Sequence, residues 1–162
     1  MHNKMHQKQI GFTLLEVIIT IGIIAILATI ALPSQTGRFN QQKIVETLEI
    51  IDRYKEDIEN AYRATGSFPV DNDSAGIPSS EKIIGNYLTG MSVENGAMQL
   101  SLGNKLKQLD GKTLTVYPVF VPGSPASPIS WLCGFDQLPD GLIAAGVNRT
   151  NVERHELPGR CR

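Results

Sequence analysis

Gly11-Phe12-Thr13-Leu14-Leu15-Glu16 opens an apolar run that continues from Val17 to Leu32. Phe12 to Leu32 comprises 21 residues, of which Glu16 is the only charged one. About 20 apolar residues rising 1.5 Å each cross a hydrocarbon core of ~30 Å, so the run is predicted to be a membrane helix. A carboxylate within such a helix costs roughly 2.5–3.5 kcal/mol at mid-bilayer, less near the interface, and calls for a partner. No Lys or Arg follows before Arg38. A free amine at Phe12, created by a cut after Gly11, is the one cation that would lie close.

The 162 residues allow one domain plus an anchor, and removing residues 1–33 leaves 129, enough for a modest core. Met1 to Gly11 carries Lys4 and Lys8 and no acid. This leader has no apolar region of its own, so it is not an ordinary cleaved secretory signal. Its basic charge marks the cytoplasmic side and places the C-terminal bulk outside. Without the two leader lysines, 13 basic residues face 16 acidic ones, a net charge of −3. That balance argues against a dedicated nucleic-acid binder. In an extracytoplasmic domain Cys133 and Cys161 permit a single intramolecular bridge, with a metal pair or two free thiols as the alternative. Closing the 27 residues between them would contribute about 3–4 kcal/mol in the chain-entropy treatment. His155 is the only histidine past the leader, and no nucleophile–base pair or metal cluster is evident. Catalytic residues, metal and cofactor are therefore not expected.

Past the apolar run, Pro33 and Gly37 predict a kink. Ile44, Leu48, Ile51, Ile58 and Tyr62 then recur at helical spacing, with Tyr54 or Lys55 filling the one gap of seven. Glu46, Glu49, Asp52, Arg53, Glu56, Asp57 and Glu59 lie largely off that stripe, as in an amphipathic helix with one face on a core. Thr65-Gly66 caps it and Pro69 prevents resumption. Residues 12–64 as one helix would run ~80 Å. Ser67 to Gly96 reads as loop, with a short helix at Ser80–Tyr87. Strand patterns follow at Ala97–Leu102, Thr113–Val121 and Ile129–Cys133, separated by turn signals at Asn104-Lys105 and Asp110-Gly111. Pro118 implies an edge or a bulge in the second of these. The predicted fold is α+β, a long N-terminal helix on an antiparallel sheet, with Gly134 to Arg162 held onto the sheet by a bridge.

The short basic leader, Gly11 before Phe12, Glu16 fifth after the cut and Ala31-Leu32-Pro33 closing the run resemble the type IV prepilin signal. Ile129-Ser130-Trp131-Leu132-Cys133 and Leu157-Pro158-Gly159-Arg160-Cys161 look like the two cysteine-bearing segments of type IVa pilins. The resemblance implies a cleaved leader (1–11), a hydrophobic transmembrane and assembly helix (12–33) and a periplasmic, later surface-exposed head (34–162) closed by a Cys133–Cys161 disulfide. It further implies cleavage between Gly11 and Phe12 and N-methylation of Phe12 by prepilin peptidase/N-methyltransferase. Glu16 would pair with the Phe12 amine of a neighbouring subunit. The expected product is a helical homopolymer on the cell surface, drawn from an inner-membrane pool by an assembly platform and ATPase, with minor pilins as further partners. Twitching motility, adhesion and DNA uptake are the implied outputs. A minor pilin, a pseudopilin of a secretion or competence system, or a DNA-binding or adhesive pilin is the alternative. The family often has Gly where this chain has Ala25, whereas Gly22 lies three residues earlier; in assembled pili that part of the helix tends to melt.

Three further patterns carry weaker chemistry. Asp71-Asn72-Asp73 with Gly76 imitates the opening of a calcium loop, but Lys82 stands where the twelfth position needs a Glu, and an Asx turn is the better reading. Asn148-Arg149-Thr150 fits a glycosylation sequon but reads as a surface turn in a bacterial chain. Arg149, Arg154, Arg160 and Arg162 collect near the C-terminus as a DNA or ligand patch diluted by Glu153 and Glu156, with a solvated surface as the default.

Overall fold

A computed structural model of the chain describes residues 11–31 and 35–162, with side chains for residues 11–29 and 37–162. The expected leader before Gly11 and the predicted kink at Pro33 lie outside the described residues. The chain divides into two units, residues 1–36 and 37–162.

In the first unit, helix α1 spans Leu14–Ala31. Thr13 caps it, its Oγ1 accepting the Glu16 amide at 3.2 Å, and the carboxylate of Glu16 in the first turn complements the helix dipole. Thr20 and Thr29 donate their hydroxyls to Glu16 O and Ile26 O, both at 2.7 Å, so these polar groups are satisfied within the helix. The helix runs unbroken through Gly22 and Ala25. Among the described residues no helix is long and apolar enough to cross a membrane. The 18 residues of α1 rise about 27 Å, just short of a bilayer core, and the apolar sequence continues past its described end.

The second unit is built on α2, Gln35–Thr65. Its stripe behaves as the spacing predicts: Ile44, Leu48, Ile51, Ile58 and Tyr62 are buried, and Tyr54 rather than half-buried Lys55 fills the gap. Gly37 sits inside the helix and does not interrupt it. Gly66 ends it at φ +75°, donating its amide to Tyr62 O at 2.8 Å.

Five antiparallel strands follow: β1 Leu88–Glu94, β2 Ala97–Leu102, β3 Thr113–Phe120, β4 Ser130–Cys133 and β5 Ile143–Ala144. The order is β1-β2-β3-β4, with β5 also pairing β3. Met98, Leu100, Leu114 and Val116 point to α2 and join its stripe in one core. The opposite face is also covered: Ala97, Tyr117 and Val119 pack with Leu132 and Leu142 in a second, smaller cluster. The segment after β4 lies over that face, which explains why β2 and β3 are buried on both sides.

Three sequence expectations change. The stretch read as loop up to Gly96 contains β1, joined to β2 by Asn95-Gly96, both at positive φ (50° and 87°), as in a tight two-residue hairpin turn. The predicted helix at Ser80–Tyr87 is a single 3-10 turn, Ser80–Lys82, because Gly85 already bonds to Leu88 O and leads into β1. Pro118 lies in a central strand. Its missing amide falls where the β2 ladder has ended at Met98–Val116 and β5 begins opposite Val119, so no donor is demanded, while its carbonyl accepts Ala145 N at 2.9 Å.

Candidate assembly and processing site

The chain from Gly11 to Thr13 is not helical, and Thr13 fixes where the helix begins. Gly11 and Phe12 are therefore exposed on a non-helical stretch, Phe12 at 80 %. A Cβ built on Gly11 would meet nothing within 4 Å, so the backbone there is open to an approaching enzyme. One turn later Glu16 is exposed and makes no ion pair among the described residues. Behind it Leu14, Leu15, Val17, Ile18, Ile19, Ile21, Ile23, Ile24, Ile26 and Leu27 are all exposed. Those side chains surround the helix, leaving it no polar face, and a helix of this kind is stable only when buried on every side.

The cysteines are brought together. Cys133, at the end of β4, bonds Cys161 in the final 3-10 turn, Cα atoms 4.7 Å apart, and both are buried. Hydrogen bonds fasten the intervening strap. Gln99 Nε2 donates to Val147 O at 2.8 Å and Thr115 Oγ1 accepts Arg149 N at 2.8 Å, with Gln99 and Thr115 bonded to each other at 2.7 Å. These buried polar residues were not identifiable as functional from sequence, because their partners lie 34 and 48 residues away.

The four arginines do not form one free cluster. The Arg149 guanidinium reaches Glu94, with Nε 2.8 Å from Oε2, and this hydrogen bond raises its already high pKa. Arg154 stacks over the Phe135 ring at 4.5 Å, and Arg162 Nε donates to Leu157 O at 2.9 Å. Arg160 borders a small cavity beside Lys55, Trp131 and Asp136. Trp131 and Tyr117 belong to the packing: Trp131 Nε1 donates to Glu59 Oε1 at 2.9 Å, and burial, followed by the charge of Asp136, raises the Tyr117 pKa.

The sequon is already engaged. Asn148 donates its side-chain amide to Gly134 O, and Thr150 Oγ1 accepts Thr115 N at 3.0 Å. The 71–76 turn is an Asx turn in which Asp71 Oδ1 accepts Ser74 N at 2.8 Å, and this bond holds the Asp71 carboxyl below its ordinary range. Asn72 has a further use. Its amide donates to Met91 O at 3.0 Å and its oxygen accepts Val93 N at 2.6 Å, so one side chain occupies the open edge of β1 as a neighbouring strand would. No group of three or more metal-ligating side chains occurs among the described residues.

Comparison with known proteins agrees with both units. Residues 43–162 match the pilin family of bacterial filaments, and residues 6–32 match the prokaryotic N-terminal methylation motif. The type IV major pilin protein PilE of Neisseria gonorrhoeae is 32 % identical over 165 residues, covering 98 % of this chain and 96 % of the relative. A fimbrial protein of Neisseria meningitidis serogroup B is 30 % identical over 168 residues, with the same coverage. The prepilin peptidase-dependent protein D of Escherichia coli K12 is 34 % identical over 95 residues, 58 % of this chain and 64 % of the relative.

The chain belongs to the type IV pilin family. It is a structural subunit of a pilus and not an enzyme. Membership implies polymerisation with copies of itself, processing by prepilin peptidase and a place in a surface filament.

Proposed function

We propose that this subunit is cut between Gly11 and Phe12, N-methylated at Phe12 and stored with residues 12–33 across the inner membrane before it is polymerised. Residues 34–162 face outward as the head. The observation that carries this reading is the first unit itself, an apolar helix without a polar face whose single carboxylate stands one turn from an exposed Gly–Phe bond. Lipid covers such a helix before assembly, and neighbouring helices cover it afterwards.

Glu16 pairs with the Phe12 amine of the next subunit. In an apolar filament core either charge alone is costly, so the pair fixes register: any other stagger leaves one of them unpartnered. A platform protein and ATPase drive extension, minor pilins join the filament, and twitching, adhesion and DNA uptake are its outputs. The near-full-length likeness to major pilins favours the main filament subunit over a minor pilin or pseudopilin.

Two variants test the reading. Gly11→Val leaves only full-length precursor on a blot, and normal trimming would remove Gly11 from the processing site. Glu16→Ala is trimmed and membrane-held but yields no filaments; abundant surface pili from that variant would contradict the role given to Glu16.

A further inference from the structure

A filament that grows by stacking identical subunits in an open helix needs a heterologous interface, where two different patches of one chain meet. Two complementary patches lie at opposite ends of α2 in the head. At its start, Arg38, Gln41, Gln42 and Val45 line an open groove of about 460 Å³ with Pro158 and Gly159 of the C-terminal turn. Arg38 is exposed and has no acidic partner among the described residues, and adjacent Phe39 is 58 % exposed. Just past the other end of α2 the pattern is inverted. Val70 is 62 % exposed and is followed by exposed Asp71 and Asp73.

The acidic turn is pre-shaped. Asp71 holds Ser74 N at 2.8 Å, Asn72 is tied to β1, and Gly76 N donates to the Asp73 carbonyl at 3.0 Å. The Asp73 side chain takes no part in these bonds and is left for an outside cation. The acids on the exposed face of α2 are less suitable, since Asp52 is paired with Lys55 and Arg53 is interleaved among them.

We propose that in the filament the Val70–Asp73 turn of one subunit docks in the Arg38 groove of a second copy, Asp73 meeting Arg38 and Val70 meeting Phe39 and Val45. The inference rests on the pilus reading above. From Gln41 to Thr65 the helix rises about 36 Å, so copies joined this way are related by an axial step of about that size when α2 runs along the filament.

Arg38→Asp and Asp73→Arg are made singly and together in the full-length chain, with N-terminal trimming and the head disulfide checked in each. Either reversal sets like charges face to face and lowers the yield of sheared filament by roughly tenfold or more, while the double reversal returns it close to wild type. Arg38→Cys with Asp73→Cys gives a ladder of covalent multimers in oxidised filaments. Wild-type yield from a single reversal, a double variant as poor as the singles, or a ladder formed only when Asp140→Cys, beside exposed Leu138, replaces Asp73→Cys would each overturn the docking. Failure of the unaltered chain to form filaments would instead bring down the pilus reading, so the two failures are separable.

Discussion

The helices α1 and α2 are consecutive in sequence and opposite in logic. α2 has one apolar stripe, and the head supplies the surface that buries it: Ile44, Ile51 and Ile58 are 0 % exposed. α1 is apolar all round, and Ile18, Ile21 and Ile26 are each above 60 % exposed. A helix with a stripe finds its partner within its own chain. A helix without a polar face needs lipid or other chains on every side. The difference gives the head its core in α2 and leaves α1 free for the assembly role proposed above.

Paired substitutions break that comparison most directly. Ile51→Ala should destabilise the head by about 4 kcal/mol, within the usual range for a large apolar side chain lost from a packed core, as read from its thermal unfolding in detergent. Ile23→Ala should leave the same transition unmoved and act only on filament yield. Equal effects on head stability would erase the distinction between the two helices.

Removing the bridge comes next. Cys133→Ser together with Cys161→Ser should cost about 3–4 kcal/mol in denaturant unfolding of the head. Resistance of the head to this change would mean that the strap is held by its polar bonds alone. Asn72→Ala should cost about 1–3 kcal/mol by orphaning Val93 N and Met91 O, with faster amide exchange at Val93 as its local signature.

The smallest expected effect is on pH. The folded-state pKa of Asp71 is depressed, so its contribution to turn stability is present above its unfolded value and is lost as pH falls through the folded one. Amide exchange at Ser74 should therefore rise in strong acid, while α1 and the α2 stripe show no change from this carboxylate. Constant exchange at Ser74 down to that range would remove Asp71 from the turn's support.

Much of this is legible in the sequence. Helical spacing from Ile44 to Tyr62, the Gly66 cap and the strands at Ala97, Thr113 and Ser130 depend on local pattern, which short stretches of sequence carry in full. Cys133 and Cys161 could be paired because compartment and number left few alternatives. β1 is hidden although Asn95-Gly96 is a hairpin signal, because the register shift at Leu88/Gly90 places buried Gly90 and Met91 side by side and breaks the alternation, and the Asp71–Gly76 turn before it reads as continuous loop. Two-residue β5 is too short to leave any periodicity, and Asn72, Gln99 and Thr115 take their roles from partners distant in sequence. The pairing proposed for Phe12 and Glu16 differs again: its motif is local, but the partner it calls for is another molecule.

Mass spectrometry of filaments sheared from cells producing this chain tests the central claim, that a cut at Phe12 turns the apolar helix into the assembly surface. The expected result is this chain as the abundant species, starting at N-methylated Phe12 with Cys133 and Cys161 joined. Filaments lacking the chain, or built from a chain that still begins at Met1, would contradict it.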